Sequence, residues 1–223
     1  MERIPESEAI DAMEDARRFS EWMGKNRHRQ DEYWQLAREV VKLGVPPGSK
    51  VLDVGTGPGF VAIAVARRLR DSNCEVVGLD LSKAMLAMAA ENAQRAGLDG
   101  VLAWRQGDAK AMPFDDGEFD FVVCNDSLHH WQDPLAVFDE IARVLKDDGQ
   151  CIVHDLKRVQ RWAPRLASWL IGLMIPSDFR VHYWNSIKSS YTPAELRSIL
   201  ECSHLQGWRI VEDFMDLTIV KEA

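Results

Sequence analysis

A mostly parallel α/β fold is what this sequence predicts, on three observations. From about residue 50 onward, short apolar runs alternate with amphipathic segments, the pattern of successive βαβ units. A turn carrying Gly55, Gly57 and Gly59 joins the first apolar run to a helix-like segment. The chain's 223 residues, 46% of them hydrophobic, suffice for one well-buried domain with some extra helices and would be cramped as two.

The elements follow in order. Lys50 to Val54 reads as a first buried strand, Phe60 to Leu69 as a helix, and Glu75 to Asp80 as a second strand ending on an acid. Ser82 is a good N-cap for a helix whose apolar stripe is Met85, Met88, Ala89, Ala93 and Ala96, with Gly97 placed to stop it. Val101 to Gln106 and Phe119 to Cys124 are the third and fourth strands. Asp133-Pro134 opens a helix that turns Leu135, Phe138, Ile141 and Leu145 to the sheet, with Gly149 as its stop. Gln150 to His154 is the fifth strand. Thr192-Pro193-Ala194-Glu195 is a capping box, and the helix it opens carries Leu196, Ile199 and Leu200 inward. Gly207 to Phe214 and Asp216 to Val220 are spaced as a terminal hairpin. Two pieces stand outside the alternation: a helical N-terminal cap, residues 1–45, and an insertion, residues 157–190. The expected organisation is one domain over 1–223 with these two additions.

Composition narrows the function classes. A net charge of −8 argues against a general nucleic-acid binder, whose affinity rests on phosphate contacts. Cys74, Cys124, Cys151 and Cys202 are scattered, which fits neither a zinc site nor a disulfide framework and suits a reducing compartment. The acidic opening MERIPESEAI has no apolar core of the signal-peptide kind, and the apolar run Leu166 to Ile175 is too short to span a bilayer. These features lead us to expect a cytoplasmic protein without stable membrane insertion, its oligomeric state open.

The glycine turn carries the first chemical signal. A strand, closely spaced glycines and a helix N-terminus let a ligand approach the backbone and favour negative charge there. A dinucleotide fingerprint wants G-x-G-x-x-G, but position 60 is Phe; the loop instead reads D-x-G-x-G-x-G, with Asp53 two residues before Gly55. This disfavours a nicotinamide dehydrogenase. Asp80, closing the second strand, is placed to accept both hydroxyl hydrogens of a ribose, although an acid at a helix N-terminus beside Ser82 also has a purely structural use. Gly107-Asp108-Ala109 follows the third strand, where an acceptor side chain and backbone N–H groups can read an adenine edge.

In this order these elements resemble the class I S-adenosylmethionine-dependent methyltransferases, nearest the small-molecule group that includes the ubiquinone and menaquinone C-methyltransferases. The strings that carry the resemblance are VLDVGTGPG (51–59), VVGLDLSKAML (76–86), QGDAKAMPF (106–114), FDFVVCNDSLHHWQDP (119–134) and the segment ending VLKDDGQCIVHD (144–155). The resemblance implies a Rossmann-like seven-stranded sheet with its last strand antiparallel, and S-adenosylmethionine as cofactor. It implies that Gly55, Gly57 and Gly59 form the cofactor loop, with Asp53 orienting the methionine amino group. Asp80 would bind the ribose, Leu81 and Met85 flank the adenine, Asp108 and Ala109 meet its edge, and the Asn125 backbone contact the methionine end. Amino-directed nucleic-acid members carry an Asn/Asp-Pro-Pro-aromatic motif after the fourth strand; here that place reads Asn125-Asp126-Ser127-Leu128, so a base amino group is not the expected acceptor.

A sulfonium methyl is a good electrophile, so holding the acceptor in line is the main task, and a general base serves only an acceptor that arrives protonated. His129, His130 and Asp155 are the candidates, with His154, Tyr183 and Tyr191 behind them; each has a structural alternative. Six basic residues in 157–190 (Lys157, Arg158, Arg161, Arg165, Arg180, Lys188) face one acid, Asp178, and the 17–29 stretch is basic too. With Trp22, Trp162, Trp169 and Trp184 these lead us to expect a lid favouring a small, anionic, partly apolar acceptor. A packed lid core with a solvated basic face stays open beside it. So does a non-catalytic S-adenosylmethionine binder acting as regulator or assembly partner.

Overall fold

A computed structural model describes residues 3–4, 10–98, 100–158, 168–169, 171–173, 175 and 177–222, the side chains of 177–179 excepted. It shows a Rossmann-like seven-stranded sheet in the order β3-β2-β1-β4-β5-β7-β6. The strands are β1 (Lys50–Val54), β2 (Glu75–Asp80), β3 (Leu102–Gln106), β4 (Phe119–Asn125), β5 (Leu145–Leu156), β6 (Trp208–Glu212) and β7 (Asp216–Lys221). Neighbours pair in parallel from β3 through β5, and β7 runs antiparallel to both β5 and β6. The helices are α1 (Met13–Lys25), α2 (Arg27–Lys42), α3 (Phe60–Arg68), α4 (Lys83–Arg95), α5 (Pro134–Val144), α6 (Ser177–Ser189) and α7 (Pro193–Cys202).

Strand alternation sorts the core into two layers. Leu52, Val54, Val122, Cys124 and Val153 join the cluster that also holds Phe138 and Ile141 of α5 and Leu196 and Leu200 of α7. Val51, Phe121, Val123 and Ile152 join the opposite cluster, with Val61 to Ala66 of α3 and Tyr33, Leu36, Ala37 and Val40 of α2. The N-terminal residues thus fold as the expected helices: α2 packs on α3, and α1 on α4.

Helix ends follow local chemistry. Ser82 Oγ accepts from Met85 N, and Asp133 accepts from Ala136 N ahead of Pro134. The Thr192–Glu195 capping box is reciprocal. Gly97 takes a left-handed φ of 69° beyond α4, letting Leu98 N reach back to Ala93 O. One expectation fails: Gly149 does not stop α5. That helix ends at Val144, and Leu145 is extended and buried, pairing with Phe119. Phe121 then pairs with Gln150, so residues 146–149 bulge out of the ladder. Gly149 sits inside this bulge, where a Cβ would lie 2.9 Å from both Leu145 Cδ2 and Lys146 O.

Candidate active site

The carboxyl ends of β1, β2 and β4 open into a cavity of about 860 Å³, roofed by α1, α2 and α6. All thirteen sequence-predicted positions except Gly59 and Asp155 lie on its wall. Those two stand directly behind it.

The three glycines prove to have different reasons. A Cβ on Gly55 (φ 68°) would strike Ser127 Oγ at 2.1 Å, and one on Gly59 (φ 80°) would meet Trp104 and Ala89 under 3 Å. Both let packed groups approach. Gly57 (φ 52°) faces open space, with nothing within 4 Å of its would-be Cβ. The loop's position is fixed from beneath: Asp53 Oδ2 accepts from Thr56 Oγ1 at 2.7 Å and from Ala62 N at 3.1 Å. Burial pushes the Asp53 carboxyl up to about 7, although those two hydrogen bonds favour the ionised form.

Asp80 ties the loop to the start of α4. Its Oδ2 accepts from Gly57 N at 2.7 Å and its Oδ1 from Ser82 N at 2.8 Å. Leu81 N also favours the ionised form; a carboxylate has about four lone-pair directions, so these backbone donors still leave acceptor capacity toward the cavity. Leu81 and Met85 sit beside it on the wall, Leu81 largely exposed there and Met85 buried. Asp108 forms a tight turn in which its Oδ1 accepts from Lys110 N at 2.9 Å.

Across the cavity, a short 3-10 turn at Leu128–His130 follows β4. Asp155, fully buried on β5, holds it with both oxygens: Oδ2 accepts from His129 N at 3.0 Å and Oδ1 lies 2.7 Å from His129 Nδ1. Burial alone would raise the Asp155 carboxyl, but the His129 charge and hydrogen bonds outweigh it and leave it below the ordinary value. The His130 ring lies 4.2 Å from that of His129. His154 instead bonds Thr218 Oγ1 at 2.9 Å and is not on the cavity wall, and Tyr191 donates to Trp131 O at 2.8 Å.

Several groups on or behind the wall have partners that no local sequence signal announces. Arg29 of α2 donates to Asp126 Oδ2 at 2.7 Å and to Glu32 Oε2 at 3.0 Å. Asp126 holds its guanidinium protonated more firmly than usual. Tyr33 stacks on Phe60 at 5.8 Å, the position where a dinucleotide fingerprint would need glycine. Arg3 donates to the carbonyls of Ser189, His129 and Trp131, joining the end of α6 to the turn.

The expected basic lid is largely spent elsewhere. Arg158 is buried, its guanidinium on Glu195 and on Ser190 O, and Lys157 reaches Glu212 and Asp213 O. Neither lines the cavity, so Arg158 cannot serve as an acceptor-facing cation. Arg180 donates to Leu173 O and Ile175 O. Arg18, Lys188 and Trp22 do stand on the wall, whereas Trp169 points to solvent and Trp184 packs over Gly172. Arg161, Trp162 and Arg165 lie outside the described residues. Among the described residues no helix is long and apolar enough to cross a membrane, and the four cysteines are unbridged.

Residues 52–153 match the family model described as "Methyltransferase domain". The chain is 37% identical over 106 residues to the "Uncharacterized methyltransferase YcgJ" of Bacillus subtilis, a match spanning 48% of this chain and 40% of that protein. It is 39% identical over 110 residues to the "Demethylmenaquinone methyltransferase" of Bacillus cytotoxicus, spanning 49% and 46%. These matches span less than half the length of either relative. In fold, it is similar to a "SAM dependent methyltransferase from Aquifex aeolicus", with a TM-score of 0.70 at 20% identity, covering 95% of this chain and 98% of that one. Over the residues these matches cover, the chain is similar to methyltransferase domains.

Proposed function

We propose that this chain transfers a methyl group from S-adenosylmethionine to a small-molecule acceptor held between the carboxyl edge of the sheet and the helical cap. One observation carries the reading: the open face of Gly57, the Asp80 carboxylate and the His129–His130 turn all line one cavity. At about 860 Å³ the cavity is large against the roughly 300–1,000 Å³ of ligand pockets, room for a cofactor with a small acceptor beside it.

In this reading Asp80 accepts from the ribose hydroxyls with the lone pairs that Gly57 and Ser82 leave open. Leu81 and Met85 flank the adenine, and Asp108 and Ala109 meet its edge. Gly55, Gly57 and Asn125 border the methionine end, with Asp53 anchoring the loop beneath. When bound, the cofactor supplies an electrophilic sulfonium methyl. The chain's own work is orientation, worth roughly 7–11 kcal/mol in favourable cases. His129, its Nδ1 held 2.7 Å from Asp155 Oδ1, is the candidate base for an acceptor that arrives protonated, and Asp155 stabilises its imidazolium. His130 borders the same space. The cytoplasmic setting read from the cysteines belongs to this proposal, as does the acceptor's negative charge, now resting on Arg18 and Lys188.

The test is turnover of methyl-labelled cofactor against a panel of small acceptors, read by mass spectrometry. We expect a labelled product together with S-adenosylhomocysteine. Asp80→Ala is expected to weaken S-adenosylhomocysteine binding by about 1–3 kcal/mol, the cost of leaving buried hydroxyls unpaired. Tight cofactor binding with no labelled product from any acceptor would favour a non-catalytic binder instead.

A further inference from the structure

His129 is gripped at three points by residues far from it in sequence. Asp155 accepts its backbone N–H at 3.0 Å and lies 2.7 Å from its Nδ1, while Arg3 Nη2 donates to its carbonyl at 3.0 Å. The same Nη2 reaches Trp131 O at 3.0 Å, and Arg3 Nε reaches Ser189 O at 2.6 Å. The guanidinium stands 4.1 Å from the ring centroid of Tyr191, whose hydroxyl donates to Trp131 O as well. Ile4 N adds a bond to Lys188 O.

The carbonyls that Arg3 gathers belong to two elements that need an outside donor. Leu128–His130 is a single 3-10 turn, closed by His130 N on Ser127 O and Trp131 N on Leu128 O, and so short a turn has little stability of its own. Ser189 ends α6, and the last carbonyls of a helix have no donor within it. A planar guanidinium offers its donors in a rigid fork, so one side chain can hold both ends at a set spacing. The turn carries His129 and His130, and α6 places His182, Tyr183, Asn185 and Lys188 on the cavity wall. A displacement of about 1 Å between reacting groups can cost about a hundredfold in rate.

We propose that Arg3 is a positioning residue: its guanidinium braces the His129 carbonyl against the end of α6 and so sets the spacing between the candidate base and the acceptor wall. The effect on turnover rests on the methyl-transfer reading; the bracing does not.

Hydrogen exchange and turnover of Arg3→Ala test it together. The amides of His129, His130, Trp131 and Ser190 should exchange about tenfold faster or more, with those of Thr56 and Ala62 in the glycine loop unchanged. With whichever panel acceptor the wild-type chain methylates, the rate should fall about tenfold to a hundredfold at unchanged S-adenosylhomocysteine affinity. Arg3→Lys, which lacks the fork, should fall between the two. Methylguanidinium should restore part of the Arg3→Ala rate and leave the wild-type rate as it is. On a His129→Ala background the Arg3 substitution should cost about twofold or less, because it acts through that turn. Unchanged exchange at the turn overturns the proposal, as does a full further loss of rate on the His129→Ala background. Uniformly faster exchange with a parallel loss of cofactor affinity also overturns it, because Arg3 would then hold the fold as a whole. A wild-type chain that methylates no acceptor sinks the methyl-transfer reading and the rate effect, whereas fast exchange confined to the turn and the end of α6 still carries the bracing.

Discussion

The two walls of the cavity are built differently. The floor, from Asp53 through Gly59 with Asp80 and Asp108, is held by its own neighbourhood: Asp53 fixes Thr56 and Ala62, Ser82 caps Met85, and Asp108 bonds Lys110. Longer bonds add to these: Gly57 N to Asp80 Oδ2, Thr56 N to Leu79 O and Asn92 Nδ2 to Pro58 O. The roof is assembled from residues far apart in sequence: Arg29 meets Asp126, Arg3 meets His129 and Ser189, and Tyr33 meets Phe60. Short-range hydrogen bonds dominate in the floor, while long-range ion pairs and ring contacts dominate in the roof. The conclusion is physical: the floor can survive loss of the roof, and the reverse is harder.

The largest expected effect comes from striking the floor where it is open. Gly57→Val puts a branched side chain at φ 52° and into the cavity, while no packed neighbour stands within 4 Å to be displaced. S-adenosylhomocysteine binding by calorimetry should disappear with the far-ultraviolet spectrum of the sheet intact. Normal binding by this variant would break the assignment of the floor to the cofactor.

A smaller effect is expected from the roof. Arg29→Ala leaves Asp126 and Glu32, both largely buried, without their shared cation. The pair is partly solvated, so about 2 kcal/mol of lost stability is a fair expectation, below the 3–5 of a fully buried pair. Hydrogen exchange should speed up in α1 and α2 more than in β1 or β4. Uniform acceleration through the sheet would show that floor and roof unfold as one unit and would erase the distinction.

The same distinction decides what could be read from the residues alone. Strand and helix positions followed from apolar periodicity and caps: Lys50–Val54, Glu75–Asp80, Ser82, Asp133-Pro134 and Thr192–Glu195 all stand where the pattern put them. The floor was legible because its chemistry is consecutive. The roof was not, because nothing near Arg29 announces Asp126, 97 residues away, and nothing near Arg3 announces His129. The basic residues of 157–190 misled for a related reason. Charge counts ignore pairing, and Glu195 and Glu212, which engage Arg158 and Lys157, lie outside that window. The end of α5 was misplaced because a glycine can serve a bulge as readily as a helix cap, and Leu145 gains more by joining the sheet core.

The smallest expected effect is a pH dependence of the floor. Burial holds the Asp53 proton to about 7, well above the ordinary carboxylate value. Without ligand, the folded chain therefore binds more protons than the unfolded one between about pH 4 and 7, and this residue lowers stability as pH rises through that window. Asp216, raised to about 6, chiefly by burial, adds the same sign over a narrower range. A cationic ligand reverses the preference at Asp53, because a sulfonium is stabilised by the carboxylate and not by the acid. Affinity for S-adenosylmethionine should then rise a few-fold between about pH 6 and 8 and level off above. S-adenosylhomocysteine, without the sulfonium charge, should show a shallower slope. Asp53→Asn keeps an oxygen to accept from Thr56 and Ala62 but cannot ionise, and should flatten the S-adenosylmethionine slope to that of the neutral ligand. Equal slopes for both ligands in the wild-type chain would mean that the Asp53 charge does not reach the sulfonium position, leaving this residue to face the α-ammonium that both ligands carry or to hold the loop.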